Sequence, residues 1–257
     1  MDRSPANQIL ERELEYHEKL YAGFAQEHFA RPAVRALRAH MVKRLLAKTG
    51  ASHESRVLSL GCGIGDTELV LAPHVREVVG VDLSPSAVRQ AKQDAASTGI
   101  TNARFEKGSL ESVAFNGDKF DAIIAIFLLH HLPDSILHDA PALIRDRLNP
   151  GGVFYALDPS RRRLSGMVGS LLFPRLMQKY QSPDERQLDP ETTAGHFRSA
   201  GFTCRTSMYD FVSSPLAGLL PGWRTGYRAA RAADEVLLRI PGLNKLGSNF
   251  ELLAWPS

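Results

Sequence analysis

Along the first fifty residues, apolar positions recur at helical intervals. Leu10, Leu14 and Leu20, then Val34, Leu37, Met41, Val42, Leu45 and Leu46, line up with charge between them, and Pro32 divides the pattern into two helices. From Arg56 the period changes. Short β-rich runs, "RVLSL", "REVVGVDL", "ARFEKG", "FDAIIAIFLL" and "GVFYALD", alternate with amphipathic stretches or short connections as far as Pro159. Apolar strands separated by helices predict a parallel sheet covered on both faces.

After the fifth run the rhythm breaks. "RRRLSGMVGSLLFPRLMQKY" is basic and apolar, with two glycines and a proline, and reads as a cap or lid. "DPETTAGHFRSAGF" predicts a helix with Asp189 as its cap, Pro190 in its first turn and Gly201 as its stop. Two further strands, "FTCRTSMYDFV" and "SNFELLAW", flank an apolar and basic insertion from Ser214 to Gly247. The expected organisation is an N-terminal helical cap over residues 1–50 and one α/β domain over 51–257, with insertions at about 161–182 and 214–247.

A chain of 257 residues with 44% hydrophobic content can bury one sizeable core. A net charge of +3 is far from the concentrated charge of a dedicated nucleic-acid binder. Cys62 and Cys204 share no repeated spacing, so neither a disulfide framework nor a zinc cluster is expected, and a reducing compartment fits. The charged start lacks the apolar segment of a secretory signal, and no apolar run approaches the ~18 residues of a membrane span. These features predict a cytoplasmic protein, at most peripheral to a membrane.

Candidate chemistry begins at "RVLSLGCGIGDTEL", residues 56–69. A glycine turn between a strand and a helix lets a ligand approach free backbone N–H groups. Gly61 and Gly63 fit the first two places of the dinucleotide fingerprint, but Asp66 stands at the third, where its carboxylate would face a pyrophosphate. Asp82 ends the second strand about 20 residues after Gly61, where an acid can take both hydroxyls of a ribose.

The spacing of Gly61, Gly63 and Gly65 resembles motif I of the class I S-adenosylmethionine-dependent methyltransferases. "FEKGSLESV", "FDAIIAIFLLHHLPD" and "LNPGGVFYALDP" continue the family's ordered segments over about residues 55–160. The resemblance implies a Rossmann-like, doubly wound, seven-stranded, mostly parallel sheet with a reversed last strand. It implies S-adenosyl-L-methionine as cofactor, held by Ser59, Gly61, Cys62, Gly63, Gly65, Asp66, Asp82, Leu83, Gly108, Ser109, Leu110 and Ile126. Of these, Cys62 is there because a small, soft side chain fits between two glycines. The chain departs from the family twice. Ser59 stands two residues before the first glycine, where an acid near the methionine amine is common, and Ser109 stands where an acid commonly recognises the adenine amine. Asp66 is a candidate to make up part of that missing charge.

His130 and His131 follow the fourth strand, where the resemblance places the edge of the methyl-transfer pocket. "EYHEKLYAGFAQEHF" puts His17 and Tyr21 on an aromatic, His-rich helix face. These four are the candidate catalytic residues, and no metal site is expected. The absence of an Asn-Pro-Pro-Tyr or Asp-Pro-Pro-Tyr tetrapeptide and of a stacking platform points away from nucleic acid. A small hydrophobic acceptor, methylated on oxygen or carbon, is the expected partner. Two amphipathic stripes, Leu164, Met167, Val168, Leu171 and Leu172 after Arg161, Arg162 and Arg163, and Leu216, Leu219, Leu220, Trp223 and Tyr227 beside Arg224, Arg228 and Arg231, read as a greasy lid or as peripheral membrane contact. Two alternatives stay open. One is a non-catalytic S-adenosylmethionine-binding protein, for which Ser59 and Ser109 argue; the other is a nicotinamide-dependent oxidoreductase, against which the missing third glycine and the reversed strand argue.

Overall fold

The structure, a computed structural model, describes residues 5–21, 24–109, 117–163 and 186–257. The N-terminal pattern folds as α1 (Pro5–Tyr21), a short α2 (Phe24–Phe29) and α3 (Pro32–Thr49). Pro32 occupies the first turn of α3, where its missing N–H has no partner to lose, and Gly50 ends that helix at φ +73°. The order then runs β1 (Arg56–Leu60), α4 (Glu68–Leu71), β2 (Glu77–Asp82), α5 (Pro85–Ser97), β3 (Ala103–Lys107), β4 (Phe120–Ile126), α6 (Asp134–Arg147) and β5 (Leu148–Pro159). It continues with α7 (Pro190–Ser199), β6 (Phe202–Asp210), α8 (Ser213–Leu219), α9 (Arg224–Leu237) and β7 (Asn249–Pro256). The Asp189 side chain caps α7 by accepting from the N–H groups of Glu191 and Thr192.

The strands form one sheet in the order β3-β2-β1-β4-β5-β7-β6. β1 to β5 pair in parallel, and β7 runs antiparallel between β5 and β6, so the sheet is the doubly wound, last-strand-reversed one expected. Alternate residues of each strand point to opposite faces, and both faces are apolar. Leu58, Ile123 and Phe154 face α6 and α7 through Leu137, Ile144 and Phe197. Val57, Ile124 and Tyr155 face α3 through Leu37, Met41 and Leu45, and on that side Ala217 of α8 and Tyr227 of α9 join the same core. With α3 built into this layer, α1 and α2 are left to lie beyond the carboxyl ends of the strands.

Three sequence expectations change. The run "FDAIIAIFLL" leaves the sheet at Ile126, because Phe127 takes φ +56° and Leu129–His131 winds as a 3-10 turn. The stripe from Leu216 to Tyr227 is not one helix: α8 stops before Pro221 and Gly222 and α9 starts at Arg224. Tyr227 is buried while Leu219, Leu220 and Trp223 are about half exposed, at 56%, 49% and 53%. Arg231 does not share an exposed basic face with Arg224 and Arg228. It is buried against the Tyr209 ring and donates to the Tyr209 carbonyl. The other stripe, Leu164, Met167, Val168, Leu171 and Leu172, lies outside the described residues. Among the described residues no helix is long and apolar enough to cross a membrane.

One polar cluster ties the reversed strand to the N-terminal helices. The fully buried Glu251 of β7 accepts from Arg44 Nε and Nη2 of α3 at 2.6 Å each, from the Tyr155 hydroxyl at 2.8 Å and from the Ser207 hydroxyl at 3.0 Å. Removing one partner of such a pair leaves a charge without compensation. Glu251→Ala is therefore expected to lower the unfolding free energy by about 3 kcal/mol in urea denaturation, with the fold otherwise retained.

Candidate functional site

The site grows out of the parallel register of the two central strands. Leu60 lies opposite Val81, so the glycine turn after β1 and Asp82 at the end of β2 emerge side by side. Gly61, Gly63 and Gly65 all take positive φ, at +64°, +52° and +78°, which L side chains adopt only with strain. Asp82 Oδ2 accepts the Gly63 N–H at 2.8 Å and Oδ1 accepts the Ser84 N–H at 2.8 Å. Burial raises the carboxyl pKa of Asp82, and these two donors work against that rise.

Two adjoining cavities of about 320 and 310 Å³ open here and meet at His17, Tyr21, Gly61, Phe127 and His131. The first also takes in Asp82, Leu83, Gly108 and Ser109, with an apolar wall from Leu10, Leu14, Leu132, Ile136 and Leu143. The second takes in Cys62, Gly63, Asp66, Glu68 and Ile126. Most of the sequence-predicted cofactor residues thus converge on one cleft. Leu110 lies outside the described residues. Gly65 is not among the residues lining either cavity: a Cβ there would meet Phe105 at 2.9 Å and Ala91 at 3.0 Å, so its role is close packing of the turn against β3 and α5. Ser59 is buried behind the turn and donates to Glu68 Oε1 at 2.5 Å.

Asp66 does not supply the missing charge. Its Oδ2 pairs with Arg38 Nε of α3 at 2.5 Å, so its charge is already matched. Arg38 in turn lies over the rings of Phe29 and Phe127.

The two adjacent histidines part company in the 3-10 turn. His130 turns into the core, where its Nδ1 meets Asp158 Oδ1 at 2.7 Å with both residues buried, and it lines neither cavity. His131 faces the junction of the cavities, with Nδ1 2.8 Å from Glu13 Oε2 of α1. His17, one turn along α1, bonds through Nδ1 to the Glu13 carbonyl at 2.8 Å and sets its ring edge-on to His131 with centroids 4.8 Å apart. Burial and the neighbouring His131 both lower the His17 pKa, which keeps that ring neutral at pH 7. Tyr21 lies directly on the glycine turn: a Cβ on Gly63 would fall 2.8 Å from its hydroxyl. The donor atoms of Glu13, His17 and His131 lie within 4.8 Å of one another, a set of types able to hold a divalent ion. Glu13 and His131 lie at ion-pair distance from each other.

Sequence reading missed Glu13, Glu68, Arg38 and Phe127. Glu13 precedes His17 by one helical turn on the same stripe, so extending the stripe upstream would have found it. The positive φ of Phe127, a strained backbone at the edge of the site, carries no sequence signal.

Residues 57–152 match the model of a family described as "Methyltransferase domain". The chain is 40% identical over 91 residues to an uncharacterized methyltransferase, YcgJ of Bacillus subtilis, covering 35% of this chain and 36% of that one. It is 41% identical over 88 residues to the 23S rRNA (uracil(1939)-C(5))-methyltransferase RlmD of Aeromonas salmonicida, covering 33% and 20% of the two chains. It is 28% identical over 167 residues to a ubiquinone biosynthesis O-methyltransferase of Methylobacterium sp., covering 63% and 65%. Among solved structures, the complex titled DhpI-SAM-HEP superposes with TM-score 0.62 at 16% identity, over 99% of this chain and 100% of that one. Residues 57–152 thus match a methyltransferase domain, and the sheet order and glycine turn give it the Rossmann-like fold of the solved S-adenosylmethionine-bound neighbours. The chain's matches span between a fifth and two thirds of the length of these curated relatives.

The Asp82 carboxylate pins the glycine turn to the start of α5. Asp82→Ala leaves the Gly63 and Ser84 N–H groups without their acceptor and is expected to cost about 2 kcal/mol of stability. Thermal and urea unfolding against the parent chain measure it.

Proposed function

We propose that the chain transfers the methyl group of S-adenosylmethionine to a hydroxyl of a small, largely apolar acceptor, with His131 as the base and Glu13 as its positioning residue. The observation that carries this reading is the Glu13–His131 pair at the junction of the two cavities.

The cleft suits that cofactor. Each Asp82 oxygen keeps a lone pair for a ribose hydroxyl after accepting its backbone donor. The glycine turn offers close backbone approach beside buried carboxylates, a setting that favours a cation and repels a pyrophosphate. When bound, S-adenosylmethionine supplies an electrophilic methyl group on a sulfonium that leaves as a neutral thioether. The chain's own task is alignment and exclusion of water. α1 contributes by laying His17 and Tyr21 over the junction, and the apolar wall of the first cavity excludes water.

A hydroxyl acceptor must lose its proton as the new C–O bond forms. Glu13 Oε2 stands 2.8 Å from His131 Nδ1, so a proton held on Nδ1 leaves Nε2 as the acceptor nitrogen, and the neighbouring carboxylate stabilises the imidazolium that results. The apolar wall and the similarity to a ubiquinone biosynthesis O-methyltransferase support an apolar, quinol-like or polyketide-like acceptor. The exposed Leu219, Leu220 and Trp223 beside Arg224 and Arg228 fit an enzyme that meets such an acceptor at an anionic membrane surface.

Calorimetry tests the cofactor: S-adenosylmethionine and its demethylated product are expected to bind, and NAD is not. Methyl transfer from labelled cofactor to a panel of quinols, catechols and phenolic polyketides tests the acceptor. Glu13→Gln and His131→Ala are expected to lower kcat by about 100-fold while cofactor affinity changes little. Variants that keep the wild-type kcat and pH profile would remove both residues from proton transfer.

A further inference from the structure

The chain lacks the acid that commonly precedes the first glycine, and Asp66, the nearest replacement in sequence, is neutralised by Arg38. A carboxylate nevertheless reaches the vacated position from the other side of the turn. Glu68 opens α4, is 2% exposed, and folds back so that its Oε1 accepts the Ser59 hydroxyl at 2.5 Å. Its other oxygen, Oε2, is buried without a hydrogen-bond partner, and the residue lines the second cavity beside Gly61 and Gly63.

A buried carboxylate oxygen with no donor costs free energy unless a ligand satisfies it. The groups facing it are Ser59 from β1, Cys62 and Asp66 from the glycine turn, and Arg38 from α3, whose guanidinium is already held by Asp66. We propose that Glu68, relayed to the strand by Ser59, is the carboxylate that binds the α-ammonium of the cofactor's methionine moiety. The serine at position 59 and the glutamate at 68 then form one unit, with the charge moved from the strand to the first turn of the helix. This assignment rests on the cofactor reading above.

The consequence is an amine-specific, pH-dependent affinity. Burial lifts the Glu68 carboxyl to about 7. Below that value the group is protonated and binds an ammonium weakly. Above it the carboxylate forms and affinity rises, until the ligand's own α-ammonium deprotonates near pH 8.

The experiment is calorimetry on the full chain with two probes, S-adenosylmethionine and 5′-methylthioadenosine, which keeps the nucleoside and sulfur but has no amino-acid moiety. Glu68→Gln is expected to weaken S-adenosylmethionine about 10- to 100-fold and to leave 5′-methylthioadenosine unchanged. Adding Ser59→Asp to that variant returns an acid to the strand and is expected to recover most of the loss. In the wild-type chain, which needs no variant to fold, the affinity ratio of the two probes should climb through pH 7. Glu68→Gln binding S-adenosylmethionine as the wild type does would overturn the assignment. So would equal loss of both probes in a folded variant, or a ratio that stays flat with pH. A wild-type chain that binds neither probe would overturn the cofactor reading itself, which separates the two failures.

Discussion

The site depends on one constraint: the ends of β1 and β2 are level, and a carboxylate at the end of one holds the turn that follows the other. Gly63 can keep φ +52° because nothing on its Cα collides and because its N–H is tied to Asp82. Once that turn is held, α4 starts in a direction that sends Glu68 back under it to Ser59, and its open side receives Tyr21 from α1. Shift the register of β1 on β2 by one residue and the carboxylate would face the other side of the sheet. The cleft is thus a consequence of strand pairing before it is a consequence of any individual ligand-binding residue.

The electrostatics of the cleft follow from what each carboxylate already touches. Asp66 is matched by Arg38, whereas Asp82 and Glu68 have only neutral donors, and burial raises the pKa of both. A folded-state pKa raised from 4.5 to about 7 means that the native chain holds the Glu68 proton more tightly than the unfolded chain does. Stability contributed by that proton is present at low pH and is lost as pH rises from about 4.5 through about 7. A bound cation reverses this loss and a bound pyrophosphate would deepen it.

Much of the fold was legible because its signals are local. Apolar runs bounded by helical stretches placed the strands, the Asp189–Pro190 pair placed the start of α7, and three closely spaced glycines placed the turn. What stayed hidden depends on partners distant in sequence. His130 and His131 are neighbours with identical side chains, and only the 3-10 turn separates a core pair with Asp158 from a cavity pair with Glu13. Asp66 looked available until α3 brought Arg38 against it. Arg231 read as one of three exposed cations until β6 placed the Tyr209 carbonyl and ring beneath it. A sequence pattern reports the face on which a residue lies, and it says nothing of which charge meets it there.

The N-terminal helix matters more than its place at the edge of the fold suggests. α1 meets the sheet's functional end in different ways: Glu13 lies beside His131, Glu18 accepts from the Ser84 hydroxyl and the Ser86 N–H, and the Tyr21 hydroxyl lies over Gly63. The first belongs to the proposed proton acceptor, the second to the segment that Asp82 also holds, and the third to the glycine turn. On the proposed chemistry, the element that shields the reacting atoms from water is also the one that completes the base. An uncovered cleft would therefore keep the Asp82 carboxylate and the glycine turn but lack the oriented imidazole. Cofactor binding would then require β1, β2 and α4, and transfer to a hydroxyl would require α1 as well.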